Sequence, residues 1–348
     1  MIGDNIIRIV MLAEVGLLVF AVALFFLHGV WLNLTDRRLQ RLSKAARDSV
    51  AVLISRGTIN VEELAALAQQ PDDVQVMAFL EISRNVSGTG KERLRFIAEK
   101  VGAIDRARKL CEHRRWTRRL RGARILSRLD VPDPLVRTLL ADPHPAVRAQ
   151  AAEWAAAQPS EEVISAMLAL LADPATQARF AVQNALLRMG GVIAGPLAAF
   201  LETHTGRAAE AGLRVAESVA EPSFVAAALR FSAVEDDAGI RVAAARLLGA
   251  IAGEAAAARL TEMLKDPESR VRAAAAQSLG RMQHWQAGSL LFDCMRDSAW
   301  RVRKEAGLSL RALGAPGTLF LRRALRSDDR FAADMAQQVL DLPATAAG

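Results

Sequence analysis

Positions 142, 173, 204, 235, 266, 297 and 328 follow one another at intervals of 31 residues and hold Asp142, Asp173, His204, Glu235, Asp266, Asp297 and Asp328. Six residues further on stand Arg148, Arg179, Glu210, Arg241, Arg272, Arg303 and Asp334. The residue before each of these is small or branched and apolar: Val147, Ala178, Ala209, Ile240, Val271, Val302 and Ala333. A register kept seven times without an insertion constrains this chain more than any other feature. A unit this short cannot bury both faces of its own elements, so each unit must lean on the next.

The segment Glu254–Met282 shows what one unit contains. Glu254–Leu264 reads as a first helix, Lys265-Asp266-Pro267 as a turn, and Glu268–Met282 as a second helix whose Val271, Ala274, Ala275, Ser278 and Leu279 share one face at helical spacing. Pro after Asp is tolerated where a helix opens, and Asp there can cap free N–H groups and oppose the positive helix end. Gly249, Gly280 and Gly314 fall near the ends of second helices and read as stop signals. Composition agrees. Apolar residues make up 52% of the chain while aromatics are 5% and Tyr is absent, so much of the apolar fraction is Ala and Leu, which favour helix over strand. The expected fold is all-α, a solenoid of stacked antiparallel helix pairs.

The stretches Asp142–Ala152 (DPHPAVRAQAA) and Asp266–Ala276 (DPESRVRAAAA) share the pattern D-P-x-x-x-V-R-x-x-A-A. That pattern resembles the HEAT repeat, and most closely the short bacterial type also found in phycobilin lyases. The resemblance covers about residues 110–342. The period is shorter than the roughly 40–47 residues usual for HEAT and armadillo units, which implies short helices and tight turns. The resemblance implies a ladder between neighbouring repeats built from turn Asp and second-helix Arg, here Asp142, Arg148, Asp173, Arg179, Arg241, Asp266, Arg272, Asp297 and Arg303. His204 and Glu210 depart from it, so the ladder should break at that unit. Asp334, Gln337 and Gln338 suit a solvent-facing cap at the last one. Upstream, one register step lands on Cys111 with Trp116 at the Val position, where a degenerate unit is expected to begin.

The N-terminal part is different. Residues 9–34 read IVMLAEVGLLVFAVALFFLHGVWLNL, with Val15–Leu34 free of acidic and basic side chains apart from His28. About 20 such residues cross a bilayer. Glu14, Trp31 and Asn33 would lie near the two interfaces, where Glu14 and His28 can be hydrated or serve inside the membrane. Positive charge follows the segment as Arg37, Arg38, Arg41, Lys44 and Arg47, which predicts a retained single-pass anchor with its N-terminus outside and the repeats in the cytoplasm, at a bacterial inner membrane. Leu39, Leu42, Ala46, Val50 and Leu53 then form the apolar stripe of an amphipathic helix. It fits a place along headgroups, a dimeric seam, or the first packed helix of the domain. The expected layout is a short outer N-terminus (1–8), an anchor (9–34), a basic amphipathic helix (35–57), a helical cap (58–110), repeats (111–342) and a tail (343–348).

The net charge of +7 is uneven, about +8 over residues 1–130 and about −1 over the rest. It concentrates in Arg106–Arg128, where Arg114, Arg115, Arg118, Arg119, Arg121 and Arg124 face only Glu112. Such a block draws anionic lipid, an acidic protein or another anionic ligand. Nucleic acid is disfavoured, since Trp116 alone is available to stack and the chain is tethered.

No catalytic constellation emerges. Gly88-Thr89-Gly90-Lys91 lacks the first Gly of a phosphate loop, and Glu92 stands where Ser or Thr should meet magnesium. The iron-binding HEAT-like hydroxylases carry His-Glu pairs, and none of the five histidines here is followed by Glu. Cys111 and Cys294 match no metal or disulfide spacing and read as small buried hydrophobes. The expectation is a membrane-anchored scaffold that binds a protein partner, without cofactor, metal or catalysis. An anionic-ligand or lipid sensor using the basic block is the alternative, and a bilin-lyase-like accessory protein is the weakest reading.

Overall fold

The computed structural model describes residues 16, 17, 20, 22–27, 42–56, 60–233 and 237–343. These residues are helical wherever they are regular, and no strand occurs among them. They form two compact units that divide between Pro132 and Asp133, some twenty residues beyond the start expected for the repeats at 111.

In the first unit, residues 42–56 form a helix whose Ala46, Val50 and Leu53 are buried. Of the three placements open to it, the first packed helix is therefore the one observed; Leu39 lies outside the described residues. Val61–Ala68, Asp72–Ile82, Thr89–Lys100, Ala103–Cys111 and Trp116–Arg128 complete the unit around Leu67, Val74, Phe79, Leu94, Ile97 and Leu126. One buried polar residue ties its turns together. Gln75, fully buried, donates through Nε2 to the carbonyls of Ala68 and Gln70, and its Oε1 accepts from Arg106 Nη2 at 2.6 Å. Paired this way it avoids the cost of a buried unsatisfied amide. Gly88 is the N-cap of the helix Thr89–Lys100, whose first turn contains Gly90 and Lys91, and Lys91 forms an ion pair with Asp130.

The second unit contains seven helix pairs among the described residues. They are Leu135–Leu140 with Pro145–Ala155, Glu161–Ala169 with Thr176–Met189, Ala194–Thr203 with Gly206–Val219, Val225–Ala233 with Ala238–Ile251, Glu254–Met263 with Ser269–Arg281, Gly288–Cys294 with Trp300–Ala312, and Ala315–Ala324 with Arg330–Asp341. Second helices pack on second helices. The apolar residue ahead of the register Arg, or of Glu210 in the third pair (Val147, Ala178, Ala209, Ile240, Val271 and Val302), is buried in every one of the first six pairs. So is Leu279, whose truncation to Ala costs about 2–5 kcal/mol at such a site.

Gly314 stops a helix as expected, whereas Gly249 and Gly280 have a packing role besides. Gly249 and Gly280 lie in the last turns of their helices, near the ends as expected, but do not themselves end them. A Cβ on Gly249 would stand 2.4 Å from Ser278 Cβ, and one on Gly280 2.4 Å from Ser309 Oγ. The two serines donate to the carbonyls of Ala245 and Ala276, each at 2.8 Å. Close helix contact therefore needs glycine on one side and a small hydroxyl on the other, again at the 31-residue period. The helices instead stop at left-handed residues one period apart, Ala252 (φ 62°), Gln283 (φ 53°) and Gly314 (φ 71°).

The predicted anchor lies largely outside the described residues, as do Glu14, His28, Trp31, Arg37, Arg38 and Arg41. Within it, residues 22–27 are helical, and Leu17, Phe20, Phe25, Phe26 and Leu27 are all exposed. Among the described residues, Thr176–Thr203 is long and apolar enough to span a bilayer. It is broken at Gly190 (φ 62°) into the second helix of one pair and the first helix of the next, and buries Val182, Leu186, Leu197 and Leu201 in the stack.

Candidate functional site

In the second, fifth and sixth pairs the turn between the helices is built from one carboxylate and two guanidiniums. Asp297 Oδ1 accepts the N–H of Ala299 at 2.8 Å. The same group in Asp142, Asp173 and Asp266 takes the N–H of His144, Ala175 and Glu268, each at 2.8 Å. These four N–H groups belong to the N-cap residues, so the Asp closes a short turn into the helix and does not cap the helix itself. The carboxylates of Asp173, Asp266 and Asp297 also receive a fork from the preceding repeat. Arg148 donates Nε and Nη2 to Asp173 at 2.6 and 2.9 Å, Arg241 to Asp266 at 2.9 and 3.0 Å, and Arg272 to Asp297 at 2.7 and 2.9 Å. Each guanidinium is 25 residues from its carboxylate, the 31-residue period less the six-residue Asp-to-Arg offset. The remaining nitrogen turns back, as Arg148 Nη1 does to the carbonyls of Asp142 and Pro143 and Arg272 Nη1 to those of Asp266 and Pro267.

These pairs are nearly dry, with side-chain exposures of 12% and 2% for Arg148 and Asp173. Burial pushes the carboxyls of Asp173 and Asp297 up. The Arg forks, the Ala175 and Ala299 N–H groups and the neighbouring guanidinium charges outweigh it and hold both below the ordinary carboxylate range. Cys294, close to the last rung, is moved the other way. Burial and then the charges of Asp297 and Asp293 raise its thiol to about 11, which leaves it protonated and inert at neutral pH. Cys111 is a buried thiol outside any disulfide.

The ladder has two gaps among the described residues. Arg179 keeps its bonds to the carbonyls of Asp173 and Pro174 and to Thr176 Oγ1, but has no carboxylate ahead. His204 stands there instead, its ring stacked 3.9 Å from that of Phe200. At the end of the stack, Arg303 bonds the carbonyls of Asp297 and Ser298 and lies 4.8 Å over the ring of Phe331. Asp328, at the next register position, makes neither the turn nor the cap. Ser327 Oγ accepts from Asp329 N and Asp329 caps Ala332 N, a shift of one residue.

A similar displacement corrects the upstream unit. The register step to Cys111 misses the turn by two residues. His113 Nδ1 accepts from Arg115 N, and Arg119 Nη1 reaches the carbonyls of His113 and Arg114, as the ladder arginines reach theirs. Of the expected basic surface, Arg119 is thus engaged with its own turn and Arg121 is paired with Asp73. Arg114, Arg115, Arg118 and Arg124 remain exposed, with no ion-pair partner among the described residues. Burial first, then the charges of Arg118, Arg115, Arg114 and Arg119, lower the pKa of His113, a local sign of that positive field.

A further cluster of arginines lies away from the turns and the basic block. On the second helices of pairs three to six, Arg214, Arg246, Arg270 and Arg301 line one depression of about 220 Å³, floored by Gly239, Val242, Ala273 and Ala274. Two carboxylates, Glu210 and Glu305, also reach it, and Glu210 is held by Arg214 one turn away. Arg270 pairs with Glu268. Arg246, half-buried, and Arg301, exposed, have no ion-pair partner among the described residues. A second hollow of about 1010 Å³ lies between the first helices Glu161–Ala169 and Ala194–Thr203, where Ile164, Leu168, Val192, Pro196 and Phe200 form an apolar wall. Among the described residues no three His, Cys, Asp or Glu side chains are grouped to hold a metal ion.

Residues 206–280 and 258–341 match the family model of HEAT repeats. The fold is a HEAT/armadillo-like α-solenoid. Among solved structures, the karyopherin Kap121p bound to the SUMO protease Ulp1p is similar over 90% of this chain and 41% of its own, at 13% identity and a TM-score of 0.58. Kap95p in complex with RanGDP is similar over 86% and 51%, at 11% identity and a TM-score of 0.50. This chain therefore spans about half or less of those karyopherins. The CpcE–CpcF phycocyanin lyase of Nostoc sp. PCC7120 is similar over 60% and 92%, at 21% identity and a TM-score of 0.37. These identities speak for the fold alone. No curated protein matches the sequence.

Proposed function

We propose that the protein is a membrane-anchored scaffold whose HEAT repeats hold a partner protein at the cytoplasmic face of a bacterial inner membrane. The observation that carries this reading is the second-helix face of pairs three to six. It is continuous across four helices, its core positions are spent on stacking, and its outer positions offer unpaired cations over a floor of small residues. Solenoids present extended surfaces of this kind to other proteins. The Kap121p–Ulp1p and Kap95p–RanGDP complexes hold protein partners on the same fold. The anchor is supported by the apolar run 9–34, the basic residues that follow it, and the exposed side chains of Leu17, Phe20, Phe25, Phe26 and Leu27.

Two measurements test the proposal. Fractionation at alkaline pH should leave the full chain in the membrane pellet, and protease added from the cytoplasmic side should cut the repeats. Chemical crosslinking of intact membranes should then give one stoichiometric protein adduct. A chain released by alkali, or one that yields no adduct above background, contradicts the corresponding half of the proposal.

A further inference from the structure

We infer that the occupant of the second-helix depression is an acidic, extended segment of the partner protein, read by Arg214, Arg246, Arg270 and Arg301. The inference rests on the scaffold reading and says what chemistry the partner must bring. Four guanidiniums from four successive second helices converge on one depression, against the two carboxylates Glu210 and Glu305. Glu210 is already neutralised by Arg214, and Arg270 leans on Glu268. Arg246 and Arg301 have no ion-pair partner among the described residues. The ladder shows by contrast what this chain does with guanidiniums that serve the fold, since each of those is forked onto a carboxylate or tied to a turn carbonyl.

The geometry favours carboxylates on a strand-like chain over a single small anion. Neighbouring helices pack about 8–10 Å apart, so four second helices span roughly 24–30 Å. An extended chain advances about 3.3–3.6 Å per residue, so about eight residues cover that distance and place side chains of one face near successive helices. A guanidinium takes a carboxylate in a planar two-bond fork, which gives register as well as charge. The shallow floor of Gly239, Ala273 and Ala274 lets a main chain lie close.

The test uses the full chain in detergent and a fluorescently labelled octaglutamate, with octaglutamine as the uncharged control. The expected result is binding of octaglutamate that weakens at least tenfold in R246Q/R301Q, with helicity and melting temperature retained, and is unchanged in R114Q/R118Q. Should the double variant fail to fold, the single R301Q, at an exposed position, is expected to weaken binding about threefold. The inference is overturned by equal affinity for octaglutamine, by unchanged affinity in both R246Q/R301Q and R301Q, or by loss in R114Q/R118Q alone. It is also overturned if inorganic phosphate displaces the peptide at equal charge concentration, which would assign the groove to free anions. Its failure is distinct from failure of the scaffold reading. If R246Q/R301Q keeps the membrane adduct of the wild type, the acidic segment is wrong and the scaffold stands. If octaglutamate binds at the groove while the wild type forms no adduct, the scaffold is wrong and an acidic-ligand site remains.

Discussion

The fifth and sixth pairs and the third pair obey the same 31-residue period but are held at their turns by different means. In the former, Arg241 and Arg272 from the preceding repeats fork onto Asp266 and Asp297, and each Asp closes its own turn. In the third, His204 stacks on Phe200, Arg179 meets no carboxylate among the described residues, and the N-cap Thr205 makes no side-chain bond. Yet Ala209, Leu213 and Ala216 are as buried there as Val271, Ala275 and Leu279 are in the fifth. The difference separates two layers of the design. Apolar stacking makes the pairs, and the charge ladder fixes their turns.

The sharpest way to break this comparison is to remove one acceptor from each region. Asp297→Ala strands the Arg272 guanidinium in a site where both side chains are mostly buried, and should cost about 3 kcal/mol by urea unfolding. His204→Ala loses the ring contact with Phe200 and the local Nδ1 contacts with Phe200 O and Thr203 Oγ1, but strands no buried charge, and should cost about 1 kcal/mol. Equal losses at the two positions would dissolve the distinction. Gly280→Ala attacks the stacking layer instead. Its new methyl would press on Ser309, whose Cα lies within 2.7 Å of it, and should cost about 2 kcal/mol while leaving the ion pairs in place.

Acid offers a graded version. The folded-state pKa values of Asp173 and Asp297 lie below their unfolded values, so the stability they contribute is full above about pH 4 and is lost as pH falls through the folded values. Unfolding midpoints of the wild type should therefore fall below about pH 4, and D173N/D297N should show a flatter acid limb from a lower plateau. Parallel limbs would mean that these carboxylates do not govern acid stability. The smallest effect sharpens the contrast from the other side. His204→Asp places a carboxylate before the waiting Arg179 and should gain about 0.5–1 kcal/mol, net of the lost stacking on Phe200.

The fold was legible because the period is a statement about burial. One small or branched apolar residue at the same register position, repeated without a gap, can be satisfied only by stacking pairs of helices. Helix limits were legible to within a residue or two, Glu254–Met263 and Ser269–Arg281 against the expected Glu254–Leu264 and Glu268–Met282. What escaped depends on how neighbouring helices meet. Gly249 and Gly280 read as stop signals because their partners, Ser278 and Ser309, are 29 residues away and only a three-dimensional stack brings them together. The turn at His113 escaped because the first interval is shorter than the period. The arginine-lined depression escaped for a further reason. Of its four cations only Arg270 and Arg301 are one period apart; Arg214 and Arg246 reach the same hollow from other positions on their helices. In a chain rich in Arg, that convergence is invisible until the helices are laid side by side.

Site-specific photocrosslinking in membranes tests the central claim most directly. A photoreactive residue placed at the exposed Gln277, on the second-helix face, should give one discrete protein adduct, while the same residue at Ser165, on the first-helix side, should give none. An adduct from Ser165 alone would move the interface to the opposite face of the stack. No adduct from either position would contradict the account of this protein as a scaffold.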